Sequence, residues 1–128
     1  MDVLTKACDD TARMPTHKVA EYLLERLGRT LTAYIANSRS RAMPARWAAP
    51  PGSATHATPS DERVTRLKAA HSVFVSIEDA ENDQVARSWM IAANPRLDGH
   101  TPAEFIRDSK IPAVYRAAAA FVSGEYYA

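Results

Sequence analysis

Apolar residues in this chain recur at three- and four-residue intervals. They nowhere alternate one-for-one with polar residues over a useful length. That spacing writes helices and leaves no half-buried strand to form, so the expected fold class is all-α. Thr16 suits an N-cap for a first helix, which carries Val19, Tyr22, Leu23 and Leu27 on one side and stops at Gly28. A short second segment opens at Thr30 or Thr32, with Leu31, Tyr34 and Ile35 facing inward. A third covers residues 39–48 and ends at Trp47. Ser60 caps a long helix with Asp61 and Glu62 in its first turn, where the helix dipole favours carboxylates. Val64, Leu67, His71, Phe74 and then Ile77 or Glu78 trace its apolar stripe. Asp83 starts the next helix, with Val85, Trp89 and Ala93 on one side; Asn94-Pro95 closes it, because the residue before proline avoids the helical region. Asp98-Gly99 is a turn, and Thr101, Pro102 and Glu104 make a capping box. The last helix carries Ile111, Val114, Tyr115, Ala118, Phe121 and Val122 on one face, and Trp47 and Trp89 are the expected buried anchors.

Helix-breaking residues set the expected organisation. Pro50, Pro51 and Gly52 open a run of small and polar residues that reaches Pro59. Residues 50–60 therefore read as a linker between a unit of residues 16–49, shaped like a helix-turn-helix, and a C-terminal helical domain of residues 61–128. Residues 1–15 read as a loose arm.

Composition narrows the function classes. Apolar residues make up 46% of the 128 and charged residues 24%, the balance of a folded globular chain rather than a disordered one. Cys8 has no second cysteine to pair with, and no apolar run is long enough to span a bilayer. Asp2, Asp9 and Asp10 are foreign to a secretory signal, which points to the cytoplasm and to no membrane partner. The four histidines, His17, His56, His71 and His100, fall in four segments without metal-ligand spacing. His71, on an apolar helix side, reads as a core or interface residue. The chain carries no glycine-rich phosphate loop and no nucleophile elbow, and the aspartates around Cys8 disfavour a reactive thiolate. The reading is of a protein that is not an enzyme and needs no metal or cofactor.

Two binding roles stay open. Residues 26–60 hold Arg26, Arg29, Arg39, Arg41 and Arg46 and no acidic residue, whereas residues 61–128 hold ten acidic and eight basic ones. Arg39, Ser40, Arg41 and Arg46 could meet DNA from the start of a recognition helix, since an arginine fork suits phosphate and guanine; a merely solvated face accounts for them equally. Gly124 ends the last helix and leaves Glu125, Tyr126, Tyr127 and Ala128 as a tail. Exposed tyrosines favour interfaces, but these could also fold back on their own core.

Ala86-x-x-Trp89, then Asn94-Pro95-x-Leu97-x-Gly99, then Thr101-Pro102-x-Glu104-Phe105-Ile106, with Val114 and Gly124 beyond, form a pattern across residues 86–125. It resembles the C-terminal toxin-binding domain of Xre-type antitoxins, the MbcA/ParS group paired with RES-domain toxins. Residues 18–47 are similar, more weakly, to the helix-turn-helix that precedes it in that family, through Leu27-Gly28, Leu31-Thr32, Ile35-Ala36 and Arg46-Trp47. The resemblance implies an antitoxin that binds a RES-domain toxin, an NAD⁺-consuming enzyme, and blocks its active site with the C-terminal region. Carried over by position, Tyr115 and Phe121 would lie on the docking helix, and Glu125, Tyr126, Tyr127 and Ala128 nearest the toxin pocket. It also implies a homodimer that binds operator DNA and regulates its own operon. The alternative is a stand-alone helix-turn-helix transcriptional regulator. Asn37-Ser38, where a glycine often allows the turn, and Pro44 depart from the family's DNA-reading unit.

Overall fold

The computed structural model describes residues 2–124, and among them it is all-helical. The helices are α1 (Val3–Arg13), α2 (Thr16–Ile35), α3 (Met43–Ala48), α4 (Asp61–Ala80), α5 (Asp83–Ile91), α6 (Pro102–Arg107) and α7 (Ile111–Ser123). A 3₁₀ turn at Pro95–Leu97 joins α5 to α6. No helix among them is long and apolar enough to cross a membrane.

α4 is the axle. Ser60 caps it, its hydroxyl accepting the Arg63 N–H at 3.3 Å. Its buried residues run unbroken from Ala69 to Phe74, so its middle has no water-facing side, and α1, α2, α5, α6 and α7 pack around it. A helix enclosed in this way carries apolar residues all round rather than in one stripe.

The first correction concerns residues 1–15, which are not a loose arm. Asp2 caps α1 by accepting the Thr5 N–H at 2.6 Å, and Leu4, Ala7 and Thr11 are buried against the rest of the fold. Those three recur at helical spacing, so burying them offsets the chain entropy that ordering the segment costs.

The second concerns residues 50–60, which form a strap rather than a free tether. The Ala57 N–H donates to Arg46 O at 3.0 Å, His56 Nδ1 bonds Ala49 O at 2.8 Å, and Pro59 is buried. Prolines keep the segment out of a helix, but its backbone groups find partners on and beside α3. One core consequently runs through both sides of the strap, with Leu23 of α2, Trp47 of α3, Phe74 of α4, Trp89 of α5 and Ile106 of α6 in a single cluster. The molecule does not divide into the two units expected.

The third concerns residues 16–48. Gly28, at φ +81°, breaks α2 into two helical stretches as expected, and Thr32 Oγ1 donates to Leu23 O across the break at 3.3 Å; what differs lies beyond it. α2 ends in a Schellman motif with Asn37, at φ +62°, in the place a glycine would take. The Ser38 N–H reaches Ala33 O at 2.8 Å and the Asn37 N–H reaches Tyr34 O at 3.0 Å. α3 then starts at Met43, not at residue 39. Ser38 Oγ accepts the Ser40 N–H at 3.2 Å and Ser40 Oγ accepts the Ala42 N–H at 3.3 Å, which diverts the backbone into a turn. Pro44 is accommodated in the first turn of α3, where its missing N–H costs nothing.

Candidate protein-interaction face

The Trp89–Gly124 pattern is joinery. Asn82 Oδ1 accepts the Val85 N–H at 2.8 Å and opens α5. Asn94 closes the following loop with four hydrogen bonds. Its side chain accepts the Arg96 N–H at 2.9 Å, its N–H donates to His100 O at 3.0 Å, and its carbonyl accepts from Leu97 and Gly99, both at 2.9 Å. Asp98 and Gly99 both sit at positive φ, +55° and +83°, a conformation glycine takes without strain. Thr101 Oγ1 accepts the Glu104 N–H at 3.1 Å, and Pro102 is in the first turn of α6. Leu97, Ala103 and Ile106 carry this loop into the core. It joins α5 to α6, and α5, α6 and α7 all pack on α4.

Where Trp89 of α5 meets Phe121 of α7 the surface is hollow, its aromatic and small apolar residues bordered by Asn82, Gln84, Ser88, Asn94 and Arg96. Trp89 and Phe121 stand with ring centroids 6.2 Å apart. On one side of the pair lies a depression of about 450 Å³ floored by Val85, Ala92 and the two rings; on the other, one of about 210 Å³ runs past Ala93, Pro95 and Ala117. Ile91, at the end of α5, is 52% exposed. Interface cores are built from such aromatic area with few charges.

The expected toxin-facing residues separate here. Phe121 lies in this face, half-buried against Trp89. Tyr115 does not. It is half-buried among Cys8 of α1 and Ser72 of α4, and burial, reinforced by Cys8, pushes its phenol up to about 12. It anchors α1 instead, because a helix absent from the expectation occupies that side of α7. Glu125, Tyr126, Tyr127 and Ala128 lie outside the described residues; they follow Gly124, which ends α7 at φ +83° as the sequence indicates.

The expected DNA-facing residues are exposed but do not share a helix face. Arg39, Ser40 and Arg41 lie in the turn before α3, a helix of only six residues. Arg46 lies on α3, where its Nε donates to Thr55 O at 3.2 Å and so ties down the strap. Arginines from elsewhere join the turn: Arg63 donates to Asn37 O and Arg107 to Asn37 Oδ1, each at 3.3 Å.

Sequence reasoning missed a polar cluster between α1, α2 and α4. Thr11 Oγ1 and His71 Nδ1 are 2.6 Å apart, and the His71 ring meets Tyr22 edge-on at 4.6 Å. The Tyr22 hydroxyl donates to Glu78, whose other oxygen accepts from Arg26 Nε at 3.2 Å; the Arg26 guanidinium covers the Tyr22 ring at 3.6 Å. Burial, and next the Arg26 charge, lower the His71 pKa to about 4; burial, and next the Glu78 bond, raise that of Tyr22. The helical spacing of Tyr22 and Arg26, with Glu78 on the stripe of α4, was the available signal. The groups satisfy one another's hydrogen bonds and so tie α1, α2 and α4 together. Among the described residues, no three His, Cys, Asp or Glu side chains stand close enough together to hold a metal.

No family model, curated protein or solved structure matches the chain.

Proposed function

We propose that this chain is an antitoxin: it binds a RES-domain, NAD⁺-consuming toxin and occludes its active site with the C-terminal region. One observation carries the reading. Asn94 and Thr101, two of the pattern residues that resemble the toxin-binding domain, hold the loop between α5 and α6, and Trp89 of the same pattern meets Phe121 of α7 at the surface hollow. In sequence, residues 125–128 directly follow Gly124, which ends the helix that carries Phe121. An aromatic face of this kind, with Arg96 its one charged residue among the described lining, suits a plug, which needs shape and area rather than reactive groups. Nanomolar neutralisation corresponds to about −12 kcal/mol, within reach of a standard-sized interface with an aromatic centre. By the same resemblance the antitoxin acts as a homodimer in the cytoplasm.

Co-expression with a RES-domain protein, the one encoded beside this chain if a neighbouring gene has one, tests the reading. Co-purification of the two, with cellular NAD⁺ restored, is the expected result. Continued NAD⁺ loss beside a soluble, folded chain overturns it.

The exposed, acid-free turn holding Arg39 and Arg41 favours a second reading, a DNA-binding regulator acting alone or through autoregulation. Mobility shifts on the operon's own promoter should then weaken steeply with salt. Arg39→Ala and Arg41→Ala should each reduce the salt slope by about one. No binding at low salt removes this reading.

A further inference from the structure

α1 does more than complete the core. Its N-terminal end forms one wall of an open groove of about 570 Å³ whose other wall is the C-terminal half of α7. Val3 and Leu4 line it from α1, and Ala119, Ala120 and Val122 line it from α7. Val3 is 41% exposed; it and Ile91 are the large apolar residues left most open to water among the described residues. The two alanines leave the floor shallow enough for a bulky side chain to settle.

The groove also carries charge. Arg116 and Arg96 both line it. Arg116 is exposed and makes no ion pair among the described residues. Asp2, the one carboxylate among the described lining residues, caps α1 through the Thr5 N–H at 2.6 Å and keeps its charge at the α1 end of the groove. An apolar floor beside an uncommitted guanidinium complements a segment that pairs a large apolar side chain with a carboxylate, because arginine binds carboxylate through two parallel N–H donors.

We infer that this groove receives an acidic, apolar segment of the partner protein, with a leucine- or phenylalanine-sized side chain over Ala119 and Ala120 and a carboxylate on Arg116. The inference rests on the antitoxin reading, and the partner is the RES-domain protein. The groove adds a second contact, adjoining the Trp89 hollow through Arg96 and built in part from α1.

The test measures the affinity of the purified full chain for that protein, with Arg116→Glu, Arg116→Lys and Val3→Asp as variants. Circular dichroism checks folding, which these exposed positions should preserve. Arg116→Glu and Val3→Asp should each weaken binding at least tenfold, Arg116→Lys by a few-fold, and Arg116→Glu should flatten the salt dependence of Kd. A photo-crosslinking residue at position 3 should capture a partner peptide containing Asp or Glu. Wild-type affinity in both Arg116→Glu and Val3→Asp overturns the groove while leaving the antitoxin reading standing. Absence of any wild-type binding overturns both. Loss of self-association in Arg116→Glu, seen by sedimentation of this chain alone, would assign the groove to a second copy and also overturn the proposal.

Discussion

His71 sits in the middle of α4, against Thr11 of α1 and the Tyr22 ring of α2. Its imidazole is held neutral by burial and by the neighbouring Arg26, with a pKa near 4 against an ordinary 6.5. Between those values the unfolded chain binds the proton and the folded chain does not. Stability is therefore complete above about pH 6.5, falls as pH drops through that window and levels off below about 4. The upper bound of the loss is about 3 kcal/mol. Denaturant titrations at pH 7.5 and 4.5 should show it. His71→Gln, which cannot titrate, should be less stable at neutral pH and lose less on acidification; equal losses in both proteins would rule His71 out as the cause. The sequence showed that His71 belongs inside, since it lies on the stripe of Leu67 and Phe74. It did not show the partners, because Thr11 is 60 residues away and Glu78 read as an edge residue of α4. Asn94 and Thr101 were legible because their side-chain hydrogen bonds are local, within three residues of chain.

Elements were legible where caps and stripe agreed, as in α4, α6 and α7, and misread where local competition or a distant surface decided. The serines at 38 and 40 took backbone donors that a helix from residue 39 would have used, so Arg39 and Arg41 ended in a turn. α1 went unseen because its stripe is only Leu4, Ala7, Thr11 and half-buried Cys8, too thin to stand out until α4 and α7 cover it. If α1 is docked as described, Leu4→Ala should destabilise the protein by about 2–3 kcal/mol in thermal or denaturant unfolding. Lys6→Ala, at an exposed residue paired only with Asp10 at 3.5 Å, should change stability by less than about 0.5 kcal/mol. Equal, negligible effects would return the segment to a loose arm.

At the scale of the whole molecule, the strap of residues 50–60 decides how many cores there are. Its prolines and small residues look the same in sequence whether they span open water or lie against α3; only the bonds from Ala57 and His56 back to residues 46 and 49 tell them apart. With Trp47 and Trp89 in one core, single-tryptophan variants Trp47→Phe and Trp89→Phe should report the same unfolding midpoint by fluorescence as by circular dichroism. Two separated midpoints would mean two independently folding units. The same core holds α5 and α7 in register, which fixes the Trp89–Phe121 face and the point from which the C-terminal residues depart.

The most direct test of the central claim is cellular NAD⁺ in cells making a RES-domain protein, the one encoded beside this chain if a neighbouring gene has one, together with either the full chain or a chain ending at Gly124. The account predicts that the full chain restores NAD⁺ and that the shortened chain, equally soluble and folded, does not. Equal restoration by both would contradict occlusion by the C-terminal region, and restoration by neither would contradict the antitoxin role.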